Sequence, residues 1–324
     1  RLLLSLGAGM LAAHWLAGLG WSVAAVYSAI VLGTGPTVVT PIVQQIRLAS
    51  PLGDVLEAEG LVLEPVGAVL ALLLLELLLG DLYGWRGLAI GLLSRLGGGV
   101  LIGVAVGWLL AELLRRLPSE HAVGLRLQLT LGVLFLMFAI CEWLLPESGL
   151  PASVAAGVVV GRRPSTQAAQ LDELISELAR LAITMLFPLL AADVSWAELS
   201  PLGWGGVSCV LVLMLLVRPA AVGVATIGLP LDWRQRLFMG WLAPRGIVTA
   251  AVASLFSIRL EQAGILGAGR LQGLVFLTIL MTVGLQGLTA QPLARVLGLI
   301  QSEPEDSGEA ALQAGEILPD PGQQ

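Results

Sequence analysis

The chain has 324 residues, of which 56% are hydrophobic and 12% charged, and its mean hydropathy is +0.89. Soluble domains carry roughly 25% charged residues, so this composition excludes a water-soluble globular protein and points to an all-α polytopic membrane protein. The net charge of −6 excludes the basic surface that a nucleic-acid binder needs.

The charge is unevenly spread. Residues 299–324 form an acidic tail holding Glu303, Glu305, Asp306, Glu309, Glu316 and Asp320, and the rest of the chain balances its acids against 17 basic residues, all arginine. A tail rich in Gly, Pro and Glu reads as disordered, and residues 1–298 read as one transmembrane domain. The two cysteines, Cys141 and Cys209, fall in apolar spans and give neither a disulfide framework nor a metal spacing. There is no HExxH, no phosphate-cradling loop and no Ser–His pair within the spans. The reading is therefore not an enzyme and needs no cofactor.

In chain order, ten apolar segments approach the roughly 20 residues that cross a bilayer: 2–19, 22–44, 60–79, 88–113, 127–145, 150–161, 178–192, 203–229, 237–257 and 272–293. Arg1 already stands in an apolar run, so further N-terminal spans are expected ahead of it. The sixth and seventh segments are short, a re-entrant pair or tilted helices. Ten arginines fall in the connections on one side and three on the other. The positive-inside rule puts the arginine-rich side and the C-terminus in the cytoplasm of a cell (inner) membrane.

The second segment reads AIVLGTGPTVVTPIV and the ninth LFMGWLAPRGIVTAAVASLF, each interrupted by Gly and Pro. With the orientation above, segments 1–3 and 8–10 have opposite topology and each has a broken middle helix. That pattern predicts an inverted-repeat secondary transporter with two discontinuous crossing helices and a site at the midplane. In the fourth segment, Gly99, Gly103 and Gly107 make a small-residue packing face.

The third segment, EGLVLEPVGAVLALLLLELLL, has two acids at its front, and an intramembrane carboxylate is by default a functional hypothesis. Pro65 lacks an N–H, which frees the Leu61 carbonyl, and it pushes Glu64 away from helical geometry. Glu59 and Glu64 are about 140° apart on an ideal helix, so they do not form one carboxylate pair. Glu64 is the functional acid, and Glu59 is a partner for one of the two arginines well inside spans, Arg218 and Arg245. Thr34, Gly35, Pro36 and Thr37 offer hydroxyl oxygens and freed backbone at membrane depth. Glu76 is expected to snorkel at the far interface and Glu142 to lie at the outer interface. His14 reads as a packed or interfacial histidine, and His121 lies in a loop.

The runs TGPTVVTPIVQQIR, EGLVLEPVGAVLA, ESGLPASVAAGVVVG, RPAAVGVATIG and WLAPRGIVTAAVASLF resemble the bacterial sodium/proton exchanger branch of the monovalent cation:proton antiporters. The resemblance implies a sodium/proton antiporter-like fold, a homodimer, and a core domain that moves for alternating access. It places the ion-binding acid on Glu64, the unwound-helix ligands on Thr34, Gly35 and Pro36, and Gly60 in the same cation/proton site. It places the structural acid on Glu59, with Arg218 as its partner, and the second family arginine on Arg245. The chain departs from the pattern at Gly35, where many relatives carry Asp, at Leu63, where many carry Asn or Asp, and at Glu64, where Asp is usual.

The expected function is exchange of Na⁺ or K⁺ for H⁺ by competition at the single carboxylate of Glu64, with Thr34 contributing to the shell of the transported ion. One carboxylate predicts electroneutral one-for-one exchange. The alternatives are a sodium-coupled symporter of an organic anion and a transport-deficient sensor of the same fold.

Overall fold

The computed structural model describes residues 1–48, 50–82, 84–117, 123–162, 168–192 and 199–300. His121 and the acidic tail lie outside the described residues. In chain order the helices are α1 (Leu2–Trp15), α2 (Trp21–Ile30), α3 (Pro36–Ile46), α4 (Leu52–Leu79), α5 (Gly84–Arg116), α6 (Val123–Leu144), α7 (Gly149–Gly161), α8 (Ala168–Ala192), α9 (Ser200–Ala225), α10 (Trp233–Trp241), α11 (Ile247–Gln262) and α12 (Ala268–Leu297). Among the described residues, α4, α5, α6 from Gly124, α9 and α12 are long and apolar enough to cross a membrane. The only β pairing among them is an isolated antiparallel bridge, Leu48 to Ile300.

The second expected span is α2 plus α3, and the ninth is α10 plus α11. Each half is short: α2, at 10 residues, is about 15 Å long, half a bilayer. The breaks fall at the Gly-Pro and Pro-Arg-Gly stretches, where proline removes a helical donor and glycine tolerates close backbone approach.

Two apolar clusters bracket these breaks. One is built from Ala12 and Ala13 of α1, the buried face of α2 from Val23 to Ile30, Ala71, Leu72 and Leu75 of α4, the first half of α9, α11, and Ala268–Ile279 of α12. The other gathers α3, Leu52 and Leu56 of α4, Val222 of α9, Phe238 and Met239 of α10, and Ala290–Leu297 of α12. Cluster membership fixes direction. The α2–α3 pair and α9 run from the first cluster to the second, as does α12, whereas α4 and the α10–α11 pair run the opposite way. The units α1–α4 and α9–α12 therefore repeat helix, broken helix, helix with inverted direction.

Beside this six-span core stand α5 to α8, with their own small cluster of Met137, Cys141, Ala152 and Ala156. The glycine stripe of α5 serves packing, as expected. A Cβ at Gly99, Gly103 or Gly107 would run into the α7 side at Ser148, Ala152 or Ala156, so the two helices touch backbone to backbone.

Two expectations need correcting. Pro65 does not offset α4, which is one unbroken helix from Leu52 to Leu79 with Glu64 inside it. The hydropathy edge at 60 is misplaced because Asp54, Glu57 and Glu59 dilute the apolar signal, while Leu52 and Leu56, one turn apart, are fully buried in the core. Packing of α4 on both repeats overrides the local preference of a pre-proline residue. The short sixth and seventh segments are separate helices, and α8 begins at Ala168, ahead of its apolar stretch.

Candidate functional site

Between the two apolar clusters lies a polar layer where the breaks meet. The backbone from Val31 to Gly35 links α2 to α3, and that from Leu242 to Gly246 links α10 to α11. They touch directly: the Gly35 N–H donates to the Pro244 carbonyl at 3.1 Å. A Cβ at Gly35 would collide with the Gly246 backbone. The crossing leaves no room for a side chain at 35, and the expected contribution of Gly35 is confined to its backbone.

The first break is completed by the second repeat, and the second break by its own neighbours α9 and α12. Arg245, in the second break, donates to the Gly33 carbonyl at 2.7 Å and to Leu32 at 3.4 Å in the first. Arg218 of α9 donates to the Leu242 carbonyl at 3.3 Å. Both guanidinium groups thus sit where a helix ends, next to unpaired carbonyls and the negative end of the helix dipole. The N–H groups of the second break are met by α12. Its π-helical turn, Thr282–Gln286, turns Gln286 Oε1 toward Ala243 N at 3.0 Å and Thr282 Oγ1 toward Arg245 N at 3.3 Å. A matching π turn, Leu213–Val217, immediately precedes Arg218 in α9.

Glu59 meets Arg218 Nη1 through Oε1 at 2.5 Å, and the same oxygen receives Arg1 Nη2 at 2.6 Å. Its side chain is only 9% exposed, so it is a buried ion-pair member rather than a solvated interfacial acid. Arg245 takes carbonyl acceptors at the first break.

Glu64 is buried in α4 against the first break. Its Oε1 is solvent-inaccessible and has no hydrogen-bond partner, and the same holds for Thr34 Oγ1 and Thr37 Oγ1. Buried oxygens without partners are costly in a protein interior, and three of them belong to two short stretches of sequence at one crossing. A small cavity reaches Glu64 past Gly33, Ala68, Val248 and Thr249. Gly60 packs α4 closely on the first break, facing the Thr34 carbonyl and Pro36.

The structure brings Thr34, Gly35, Pro36, Gly60 and Glu64 to one place. It adds Gly246 to the residues expected there and sets Thr37 of the same run beside it. A Cβ placed on Gly246 would lie 3.1 Å from both Glu64 Oε1 and Thr37 Oγ1. The TGPT run carried a signal for Thr37. Gly246 gave none, because its neighbours are distant in sequence.

The remaining acids are structural. Glu76 does not snorkel: both its oxygens pair with Arg95 of α5, at 2.6 and 3.0 Å. An interfacial position was expected because its partner comes from another helix. Glu142 accepts the N–H groups of Glu147 and Gly149 at 2.9 and 3.1 Å, closing the start of α7. In the α6–α7 connection, burial and then the neighbouring Glu142 carboxylate push Glu147 up to about 7, against the pull of Arg259 and Arg95. His14 is packed, stacked on Trp21 with ring centroids 3.9 Å apart, and its Nδ1 lies 2.7 Å from the Leu19 carbonyl.

Residues 2–296 match the protein family described as sodium/hydrogen exchanger, transmembrane. Among individual proteins, the chain is similar to the probable Na⁺/H⁺ antiporter 2 of Methanocaldococcus jannaschii. The two are 25% identical over 84% of this chain and 69% of that protein. It is also 25% identical to the K⁺/H⁺ antiporter NhaP2 of Shewanella oneidensis over 89% of its own length, but spans about half (49%) of that relative. A solved structure, the sodium proton antiporter MjNhaP1 of Methanocaldococcus jannaschii at pH 8, superposes with a TM-score of 0.79. It is 24% identical and is matched over 91% of this chain and 76% of that one. At that identity the likeness establishes the fold alone, an all-helical arrangement shared with an antiporter.

Proposed function

We propose that this chain, which belongs to the sodium/hydrogen exchanger family, exchanges a monovalent cation for a proton through competition at Glu64. The observation that carries the reading is the Glu64 carboxylate, with an unpartnered buried oxygen at the crossing of two broken helices. Relatives named for Na⁺/H⁺ and for K⁺/H⁺ exchange support both Na⁺ and K⁺ as cargo.

A carboxylate facing a low-dielectric layer is stable only when neutralised, since burial disfavours the charged form and an opposite charge restores it. A proton and a cation are two ways of meeting that demand, and they exclude each other. The unit carrying the site crosses when either is bound. Thr34, the backbone of Gly35 and Pro36, and the gap beside Gly60 contribute neutral oxygen and space around the cation. Glu59 is held by Arg218 and Arg245 by carbonyls, which leaves Glu64 as the acid that titrates in the cycle. One acid gives one charge moved each way, hence electroneutral exchange.

The remaining features of the reading are an integral inner-membrane protein with a cytoplasmic C-terminus, supported by the arginine asymmetry, and a homodimer, supported by the family resemblance.

The test is the protein in proteoliposomes carrying a pH dye, with an inward Na⁺ or K⁺ gradient and the voltage clamped. Proton efflux driven by either cation and indifferent to voltage is expected. Transport that reverses with membrane potential at equal ion gradients would rule out one-for-one exchange. Sodium uptake stimulated by an organic anion without proton counterflow would make the protein a symporter.

A further inference from the structure

Six of the described threonines share one hydrogen-bonding pattern. Thr130, Thr184, Thr226, Thr278, Thr282 and Thr289 each donate a hydroxyl back to the carbonyl four residues earlier. This is the usual way for a threonine inside an apolar helix to hide its polar group. Thr37 does not follow it. It sits in the first turn of α3, and the carbonyl four residues before it, Gly33, is taken by Arg245 at 2.7 Å. Its Oγ1 is solvent-inaccessible and without a partner.

The hydroxyl faces the second break. The Cβ position at Gly246 is 3.1 Å from Thr37 Oγ1 and 3.1 Å from Glu64 Oε1. That position also lies 2.9 Å from Gly35 Cα, and both unpartnered oxygens, one from α3 and one from α4, border it from the first repeat. Position 35 carries no side chain, and none fits. The two oxygens are of different kinds, a carboxylate and a neutral hydroxyl with free lone pairs. Hard cations take oxygen ligands of both kinds.

We propose that Thr37 supplies a further side-chain oxygen for the transported cation, beside Glu64 and Thr34, and that the missing side chain of Gly246 leaves both Thr37 Oγ1 and Glu64 Oε1 uncovered. The assignment rests on Glu64 as the exchanging acid. Thr37 binds the cation but not the proton. It therefore sets the balance of the competition: a stronger hydroxyl contact lets the cation displace the proton at lower pH.

Cation-driven proton flux in proteoliposomes of the full chain, measured against Na⁺ and K⁺ concentration and against pH, tests this. Thr37→Val keeps the shape and removes the oxygen. The half-saturating cation concentration should rise about ten-fold or more, as expected for losing one contact to a charged group, with the maximal rate little changed. At a fixed cation concentration that saturates both proteins at high pH, the acid limb of the pH profile should move up by about one pH unit for each ten-fold loss. Thr37→Ser should restore both. If Thr37→Val does not insert, Thr37→Cys replaces the hard oxygen by a soft sulfur and should show the same two shifts. A half-saturation and an acid limb within two-fold of wild type, in whichever of these variants folds, would overturn the role of Thr37. Glu64→Gln separates the two levels: if it keeps exchanging, the reading of Glu64 falls whatever Thr37 does.

Discussion

Arg218 shows how a charge survives at membrane depth. Its side chain is 6% exposed, and its guanidinium is bonded to the Glu59 carboxylate and to the Leu242 carbonyl. Removing the shared Glu59 carboxylate leaves the Arg218 charge buried without a counter-charge, which costs about 3–5 kcal/mol. Glu59→Ala should therefore lower thermal stability in detergent severely, and an unchanged melting temperature would mean that the pair is not formed. Glu147 makes the opposite case. Its carboxyl is pushed from 4.5 to about 7 in the fold, so the folded protein holds this proton more tightly than the unfolded chain. That contribution to stability is fully present below about pH 4.5 and is lost as pH rises through 7. Glu147→Gln should flatten the fall in melting temperature between those values, and a wild-type slope in the variant would refute the burial of this group. The pairing of Glu59 with an arginine was legible from sequence, because a buried guanidinium demands an acceptor. Which arginine it meets was assigned from family resemblance, and the Glu76–Arg95 pair escaped notice because the two lie on different helices.

At the scale of elements, the two breaks explain themselves through each other. Each leaves carbonyls and N–H groups without helical partners, and in a bilayer these must be met by protein. Arg245, Arg218, Gln286 and Thr282 meet them. Gln286→Leu removes the acceptor of a buried Ala243 N–H and should cost about 1–3 kcal/mol. It should also disorder the α10–α11 crossing, read as faster hydrogen exchange at residues 242–246. Unaltered exchange there would show that Gln286 is not needed. The breaks were readable from TGP and APRG, whose prolines and glycines interrupt a helix by chain geometry alone. The π turns went unread, although Pro219 leaves the Leu215 carbonyl of the first without its helical donor and Gly284 lies within the second. Pro65 misled in the other direction: a local breaker was absorbed by a helix held on both faces.

The whole molecule is an inverted repeat around a thin polar layer, with α5 to α8 at its side. Its two apolar clusters hold the halves of each broken helix apart, and the polar layer is where the halves meet. Inversion was legible from the count and direction of the spans, since opposite topology follows from where the interruptions fall. The close contact of Gly35 with Gly246 was not, since it joins residues far apart in the chain. In this arrangement the Glu64 carboxylate lies in the layer that the cargo must cross, and it is the acid there without an arginine. The measurement that bears most directly on this account is cation-driven proton flux through Glu64→Gln in proteoliposomes, beside wild type and at matched insertion. The account predicts no flux with Na⁺ or K⁺ from a folded protein, and full exchange by that variant would contradict it.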